Sequence, residues 1–303
     1  MALNLSGPIS LGGSTSGQSI NLENGQTATD LVSLNDAAVR SLAGVPSGVI
    51  VMPTDFYGKS NAFSFNLTST TDANLRSLAI LAGWNASSAL TATIPVSNNI
   101  QASSTATPAL TISGSFPGGV TLINNGTVYG RGGNGQAGQS NNSGSFSGGG
   151  NGFSGGIALF VSSTVTINNG SGIINGGGGG GAGGAGGTYN NKGSRGFGGG
   201  GGGGGAGISL GGAGGSGTGA SPSVGGNAGS AGTLATFGNG GSPGNGTYAT
   251  SGGNGASWGS TGGNSSGSAY GGSGGSGGAG GSSVSGNSFI TWISIGTRNG
   301  SIV

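Results

Sequence analysis

Glycine most constrains the fold of this chain, since it accounts for 81 of the 303 residues, about four times the usual share. A Gly/Ser tract standing alone would behave as a flexible linker, because each glycine is costly to fix in one conformation. Short apolar segments interrupt the tract, however, and a solvated linker gains nothing from them. They span residues 119–130, 158–174, 233–238 and 288–296. We therefore predict that the Gly-rich region is ordered.

The scarcity of reactive side chains argues against catalysis. The chain contains no His and no Cys, so triads that use these residues and thiolate metal sites are excluded. Its five acidic residues all fall within the first 72 positions, where caps and turns explain them: Glu23, Asp30, Asp36, Asp55 and Asp72. Gly58-Lys59-Ser60 fails as a phosphate-binding loop because Pro53 stands where the motif needs its first glycine. We expect a protein that is not an enzyme and has no metal site and no cofactor.

Charge and hydropathy also limit the partners. Lys192 and Arg195 are the nearest approach to a basic cluster, which is too little for binding nucleic acid. No apolar run approaches the roughly 18 residues of a membrane helix, and the opening residues do not resemble a secretory signal. We expect no nucleic-acid binding, no membrane insertion and synthesis in a cytoplasm.

Composition divides the chain into three stretches, 1–60, 61–116 and 117–303. In the first, the pattern predicts a helix from Asp36 to Ala43, capped by Ser33 or Asn35 and ended by Gly44. Alternation from Ser19 to Glu23 and the apolar residues 49–52 predict two short strands. The first stretch is therefore expected to be a small α+β module.

The second stretch, 61–116, predicts a small β-rich domain. Its β-branched and aromatic residues alternate with polar ones. The exception is a helical pattern in which Leu75, Leu78, Ala79 and Ala82 share one face, with Thr71 or Asp72 as the cap.

A repeated unit opens the third stretch, 117–303. Residues 121–139 and 166–184 share an apolar strand, an Asn-Asn-Gly turn, a second short strand and a glycine run. Residues 293–303 repeat the strand–turn–strand part. Because Asn-Gly between apolar alternations signals a tight turn, these units are expected to be β-hairpins or rungs from which the glycine segments start.

The glycine segments have a period of three, clearest in GGSGGSGGAGGS at 271–282. This period fits an extended helix with three residues per turn, whose backbone groups can bond only to neighbouring helices. Collagen would need unbroken triplets and far more than the eight prolines present. The fold class is therefore predicted as mainly β, with polyglycine-II-type helices and short hairpins in the Gly-rich region.

Aromatic residues among Asn, Ser and Gly mark candidate recognition loops, since a rigid ring offers contact area at low entropic cost. Each ring could instead cover an end of a glycine bundle. The candidate binding residues are Tyr189, Asn190, Asn191, Lys192, Arg195, Phe197, Phe237, Tyr248, Trp258 and Tyr270.

The motifs SGPISLGGSTSGQSINLE, SLNDAAVRSLAGVPSG and DFYGKS resemble an N-terminal module of tailed-bacteriophage tail proteins. The units INNGTVYGRGGNG and INNGSGIINGGGGGG resemble the Gly-rich repeats of phage tail tip adhesins. The resemblance implies a virion tail protein, assembled in the host cytoplasm, that attaches through its N-terminus to tail or baseplate proteins. It also implies distal loops that bind a host surface glycan or outer-membrane protein.

Other functions stay open on the sequence alone. The chain could be a purely structural baseplate, neck or capsid-decorating component without receptor contact, or a cellular Gly-rich surface protein. Fibres are commonly homotrimers, whereas a glycine sandwich can also close within one chain.

Overall fold

The computed structural model describes residues 2–86, 88–139, 148–189, 195–209, 225–244, 248–267 and 272–303. They form a mainly β protein with three short α-helices in these ranges: α1 (Ile20–Glu23), α2 (Ala37–Ala43) and α3 (Leu75–Leu81). Two 3-10 helices cover Thr54–Phe56 and Asn287–Phe289.

The strands follow in chain order. They are β1 (Phe63–Asn66), β2 (Thr70–Thr71), β3 (Ala73–Asn74), β4 (Leu90–Ile94), β5 (Asn99–Gln101), β6 (Leu110–Ile112), β7 (Val120–Asn124), β8 (Thr127–Tyr129), β9 (Leu159–Val161), β10 (Val165–Asn168), β11 (Ile173–Asn175), β12 (Gly187–Tyr189), β13 (Arg195–Phe197), β14 (Val284–Ser285), β15 (Ile290–Ser294) and β16 (Thr297–Asn299).

Three parallel sheets form the walls of a β-solenoid of five rungs. One wall has the order β1-β4-β7-β10-β15, the second β16-β11-β8-β5-β2, and the third β14-β9-β6-β3. Each turn of the chain supplies one strand to each wall, and the fifth turn ends in a parallel bridge between Val284 and Ile302. The walls run across position 116, because β4 pairs with β7 and β6 with β9. Residues 61–116 therefore share one core with the later strands.

Apolar side chains stack inside the solenoid from rung to rung. Ala92, Leu122 and Ile167 occupy one register column, are buried, and lie between Phe65 in the first rung and Trp292 in the last. The two terminal rings are only partly buried because they have a neighbouring rung on one side. α3 contacts β3, β4 and β6 and adds the buried Leu75 to this core.

A column of buried asparagines fixes one corner. Asn124 donates from Nδ2 to Oδ1 of Asn169 at 2.7 Å, and Asn169 donates from Nδ2 to the carbonyl of Ile295 at 2.8 Å. Both asparagines are fully buried. Their amides satisfy turn backbone that the strands leave unpaired, as buried polar groups require.

Of the two expected alternatives, hairpins or rungs, the repeated units are rungs. β7 and β8 lie in different walls, where β7 pairs in parallel with β4 and β10, and β8 with β5 and β11. The turn at Asn125-Gly126 therefore bends the chain around a corner and does not reverse it. The predicted equivalence of the three units is correct, since their strands stack in register.

Two insertions carry the glycine segments, and both leave the solenoid at the corner between the second and third walls. The first joins β8 to β9 and the second joins β11 to β14. In the described ranges the segments span 130–139, 148–157, 176–186, 198–207, 225–232, 238–244, 249–256, 260–267 and 272–283.

Backbone hydrogen bonds hold these segments to one another. Residues 133, 136 and 139 donate to carbonyls 178, 181 and 184, and residues 199, 202 and 205 donate to 139, 136 and 133. The bonds recur every third residue and run both parallel and antiparallel. Because the segments lie so close, a β-carbon at Gly181 would overlap the carbonyl oxygen of Gly253. Hydrogen-bonded backbone here replaces a side-chain core.

The N-terminal residues 2–62 form their own apolar cluster around Ile20, Val39 and Phe56. The predicted helix is confirmed as α2, which begins after Asp36 and ends at Gly44 in the left-handed conformation. Glu23 fixes the end of this part just before β1, since its Oε1 accepts bonds from Asn61 N at 2.8 Å and Ser60 Oγ at 3.0 Å.

Both strands predicted in residues 1–60 are wrong. Residues 20–23 form α1, because the hydroxyl of Ser19 caps the N–H of Leu22 and starts a helical turn. Residues 49–52 are not a strand either, since Val49 is 84% exposed and the N–H of Val51 donates to Asp55 Oδ2 at 2.7 Å. Local side-chain bonds at these places outweigh the alternating pattern.

Candidate functional site

The glycine bundle has two ends, which the hydrogen-bond register distinguishes. The proximal end lies at the solenoid, where Gly176 follows β11 directly and its carbonyl accepts from Gly259 N at 2.8 Å. The distal end is formed by residues around Gln139, Ala185 and Gly199, together with those near Thr250. The predicted binding residues that the structure describes are divided between these two ends.

A hairpin and an aromatic pair lie at the distal end. β12 and β13 pair antiparallel, with Tyr189 opposite Arg195 and Gly187 opposite Phe197. The buried ring of Phe197 stacks on Tyr248, with centroids 5.4 Å apart and an interplanar angle of 15°. The predicted residues Asn190, Asn191, Lys192 and Tyr270 lie outside the described residues.

A surface depression lies next to this aromatic pair, because residues that follow Tyr248 in the chain form part of its lining. Ala249 follows Tyr248, is buried, and lines an open depression of about 320 Å³. The other lining residues are Pro243, Thr250, Ser251, Gly252, Asn264, Ser265 and Ser266. The lining is neutral and rich in hydroxyl and amide groups. Sequence reasoning missed this depression, since its Ser, Asn and Thr residues do not differ from their surroundings in composition.

Phe237 and Trp258 lie at the proximal end and are separated from the other predicted residues by the length of the bundle. Trp258 packs on Tyr129 of β8, with ring centroids 5.7 Å apart, and thereby joins the bundle to the solenoid. Phe237 follows the turn closed by the bond from Thr233 N to the Thr236 carbonyl and is 42% exposed.

Two titratable groups among the described residues have shifted pKa values, and both lie away from the distal end. Burial raises the pKa of the Tyr129 phenol, whose hydroxyl donates to Gln101 Oε1 at 3.0 Å. Hydrogen bonds from the side chain and the backbone of Thr27 lower the pKa of the exposed Asp30.

Within the described ranges, no three His, Cys, Asp or Glu residues come together as a metal site would require. No helix in the same ranges has the length and apolarity needed to cross a membrane.

Comparison with known proteins identifies relatives of this architecture. A chain in the crystal structure of the gp37-gp38 adhesin tip complex of the bacteriophage S16 long tail fiber matches with a TM-score of 0.53 and 25% sequence identity. The match covers 97% of this chain and 100% of that chain. No curated protein matches the sequence.

The family model described as phage tail fibre adhesin Gp38 matches residues 62–303. This range contains the whole solenoid and both glycine insertions. The resemblance to phage tail fibre and tail tip proteins is thereby confirmed. The chain belongs to the phage tail fibre adhesin Gp38 family.

Proposed function

We propose that the protein forms the host-contacting tip of a tail fibre, attached to the virion through residues 1–60 and exposing the distal end of the glycine bundle. The observation that carries this proposal is the one-sided arrangement of the chain. The N-terminal residues precede β1 in the first rung, whereas both insertions leave from the third and fourth rungs. Attachment and recognition are thus assigned to separate parts.

The attachment partner is proposed to be another tail fibre protein. The related S16 structure is described as a complex of gp37 with gp38. Its match covers nearly all of this chain and therefore extends into residues 1–60. Exposed apolar side chains in that part, including Leu31 and Val49, are available for such a contact. Assembly onto the tail in the host cytoplasm follows from this role.

We further propose that the glycine segments are polyglycine-II-type helices. The three-residue recurrence of backbone bonds between segments supports this assignment. With a rise of about 3.1 Å per residue, segment 176–186 would be roughly 30 Å long. These bonds join segments of one chain.

The proposed receptor contacts at the distal end are Tyr189, Arg195 and Tyr248, with the buried Phe197 supporting the Tyr248 ring. The predicted residues Asn190, Asn191, Lys192 and Tyr270 lie outside the described residues and are proposed as contacts from the sequence alone. Loops on a rigid scaffold are the usual place for recognition. Phe237 and Trp258 are not expected to contact the same receptor, because they lie near the solenoid. The proposed role is binding without catalysis.

Binding of the fluorescently labelled full chain to host bacteria tests the proposal. We expect the combined substitutions Tyr189→Ser, Lys192→Ser and Tyr270→Ser to abolish binding, while Phe237→Ser at the proximal end leaves it unchanged. Unfolding curves of all variants serve as the folding control. Equal binding by the distal variant and the unaltered chain would refute receptor contact at this end. Absence of binding by the folded, unaltered chain would instead favour a purely structural part of the virion.

A further inference from the structure

The depression at the distal end has rigid walls. Thr250 accepts from Ala185 N at 2.9 Å and donates to the Ser266 carbonyl at 2.8 Å. Ser265 donates to the Gly183 carbonyl at 2.7 Å and accepts from Gly275 N at 2.9 Å. These two hydroxyls connect neighbouring glycine segments, so their positions are fixed by the backbone bonds of the bundle.

Three other polar groups of the same lining have unused hydrogen-bonding capacity. The hydroxyls of Ser251 and Ser266 have no partner among the described residues. Asn264 uses only its Oδ1, which accepts from Gly277 N at 2.8 Å. This bond orients the amide and leaves both hydrogens of Nδ2 without a partner in the same described ranges. The depression therefore offers one oriented amide donor and two hydroxyls that can donate or accept.

The shape and charge of the depression limit its ligand. Its volume of about 320 Å³ lies at the small end of ligand sites, and its described lining residues are uncharged. Pro243 adds apolar surface beside the polar groups. A sugar ring, which alternates hydroxyl groups with C–H faces, matches this combination better than a purely apolar or an ionic group.

We propose that this depression binds one residue of a neutral saccharide, with Asn264 Nδ2 and the hydroxyls of Ser251 and Ser266 as its hydrogen-bonding groups. The proposal rests on the proposed function and deepens it, since it assigns part of host recognition to a sugar on the bacterial surface. It also places this contact on the rigid glycine segments and separates it from the loop residues of the earlier prediction.

Asn264→Asp tests the site with little structural change. The aspartate keeps the Oδ1 acceptor for Gly277 N but removes both Nδ2 donors and adds a charge. Asn151 is a matched control, because its Oδ1 accepts from Ser276 N at 2.9 Å in the same manner and it does not line the depression. Both substitutions should therefore affect stability alike.

The probes are the methyl glycosides of glucose, galactose and mannose, titrated into the full chain and followed by NMR. We expect at least one of them to bind the unaltered chain, and Asn264→Asp to weaken that binding about tenfold, as expected for a lost hydrogen bond. Asn151→Asp should bind as the unaltered chain does. Ser251→Ala with Ser266→Ala should weaken binding as well.

Two results would overturn the saccharide site. One is that none of the glycosides binds, and the other is that Asn264→Asp and Asn151→Asp bind equally well. If the chain then still attaches to host cells, only the saccharide site fails and the proposed function stands. If the chain binds the glycosides but does not attach to host cells, the proposed function fails and the sugar site stands.

Discussion

Substitution of Gly181 by alanine tests whether hydrogen-bonded backbone replaces a side-chain core. Gly181 is buried, donates to the Gly203 carbonyl at 2.8 Å and accepts from Gln136 N at 3.0 Å. An added β-carbon would overlap the carbonyl oxygen of Gly253 on a third segment. That oxygen is fixed, because it accepts from Gly203 N at 2.9 Å.

The cost follows from the movement that relieves this overlap. Overpacking in a dense interior costs about 1–3 kcal/mol. Moving Gly253 away also weakens its bonds with Gly203 and Ala182, at about 1 kcal/mol each. Alanine also lowers the conformational entropy of the unfolded chain, which stabilises the folded protein by about 0.4–1 kcal/mol. We expect the free energy of unfolding to fall by about 2–4 kcal/mol.

Urea denaturation of the full chain, followed by tryptophan fluorescence, measures this difference. Gly170→Ala is the control, since a β-carbon there would meet only the side chains of Ser294 and Asn168, at 3.1 and 3.3 Å. That variant should change the free energy of unfolding by less than about 1 kcal/mol. If Gly181→Ala proves no more destabilising than Gly170→Ala, the close approach of the glycine segments is not what stabilises the bundle.

Three further substitutions test other parts of the fold. Asn169→Ala should lower the free energy of unfolding by about 2–4 kcal/mol, because it removes the acceptor at 2.7 Å from Asn124 Nδ2 and the donor to the buried Ile295 carbonyl. Equal urea midpoints for this variant and Asn168→Ala would contradict the role of the buried column. Burial raises the pKa of Tyr129 above its ordinary 10.0, so the fold favours the protonated phenol and its stability should fall as the pH rises above about 10. Tyr129→Phe should reduce that fall, and denaturation curves of both proteins across this pH range measure it. Glu23→Ala removes the acceptor for Asn61 N and Ser60 Oγ and should speed proteolysis near residue 61, whereas Glu23→Gln keeps an acceptor and should stay close to the unaltered chain.

The two longer helices, α2 and α3, were predictable because their signals are local, whereas the four-residue α1 was predicted as a strand. The expected helix at Asp36–Ala43 is α2, and the apolar face of Leu75, Leu78 and Ala79 belongs to α3. The cap of α3 was predicted wrongly, however. Asn74 caps it through a bond from Ser77 N, because Thr71 belongs to β2. The N-cap residue of α3 is thus set by the position at which the preceding strand, β3, ends.

Strand pairing was less predictable because it depends on residues far apart in the chain. The repeat of an apolar strand with Asn-Asn-Gly is visible in the sequence, yet an Asn-Gly turn suits a hairpin as well as a solenoid corner. The pairing of Val165 with Ile290, 125 positions later, decides in favour of the solenoid. The buried Asn124 and Asn169 could have indicated it, since asparagines at equivalent positions of stacked rungs can bond to each other.

The local sequence indicated which aromatic residues to consider as binding residues, but it did not indicate at which end of the bundle each one lies. Aromatic rings among Gly, Ser and Asn indicated Trp258 and Tyr248 equally well. The register of the bundle separates them, since Trp258 packs on Tyr129 whereas Tyr248 stacks on Phe197. Composition does not reveal in which direction a segment crosses the bundle, and therefore at which end its ring lies.

Both insertions leave the solenoid at the same corner, and this limits how many glycine segments such a tip can contain. An insertion that leaves the solenoid and returns to it at one corner must cross the bundle an even number of times. The first insertion makes the minimum of two crossings, outward through 130–139 and back through 148–157. Tips of this design should therefore grow or shrink by pairs of crossings, while the rungs below keep their register.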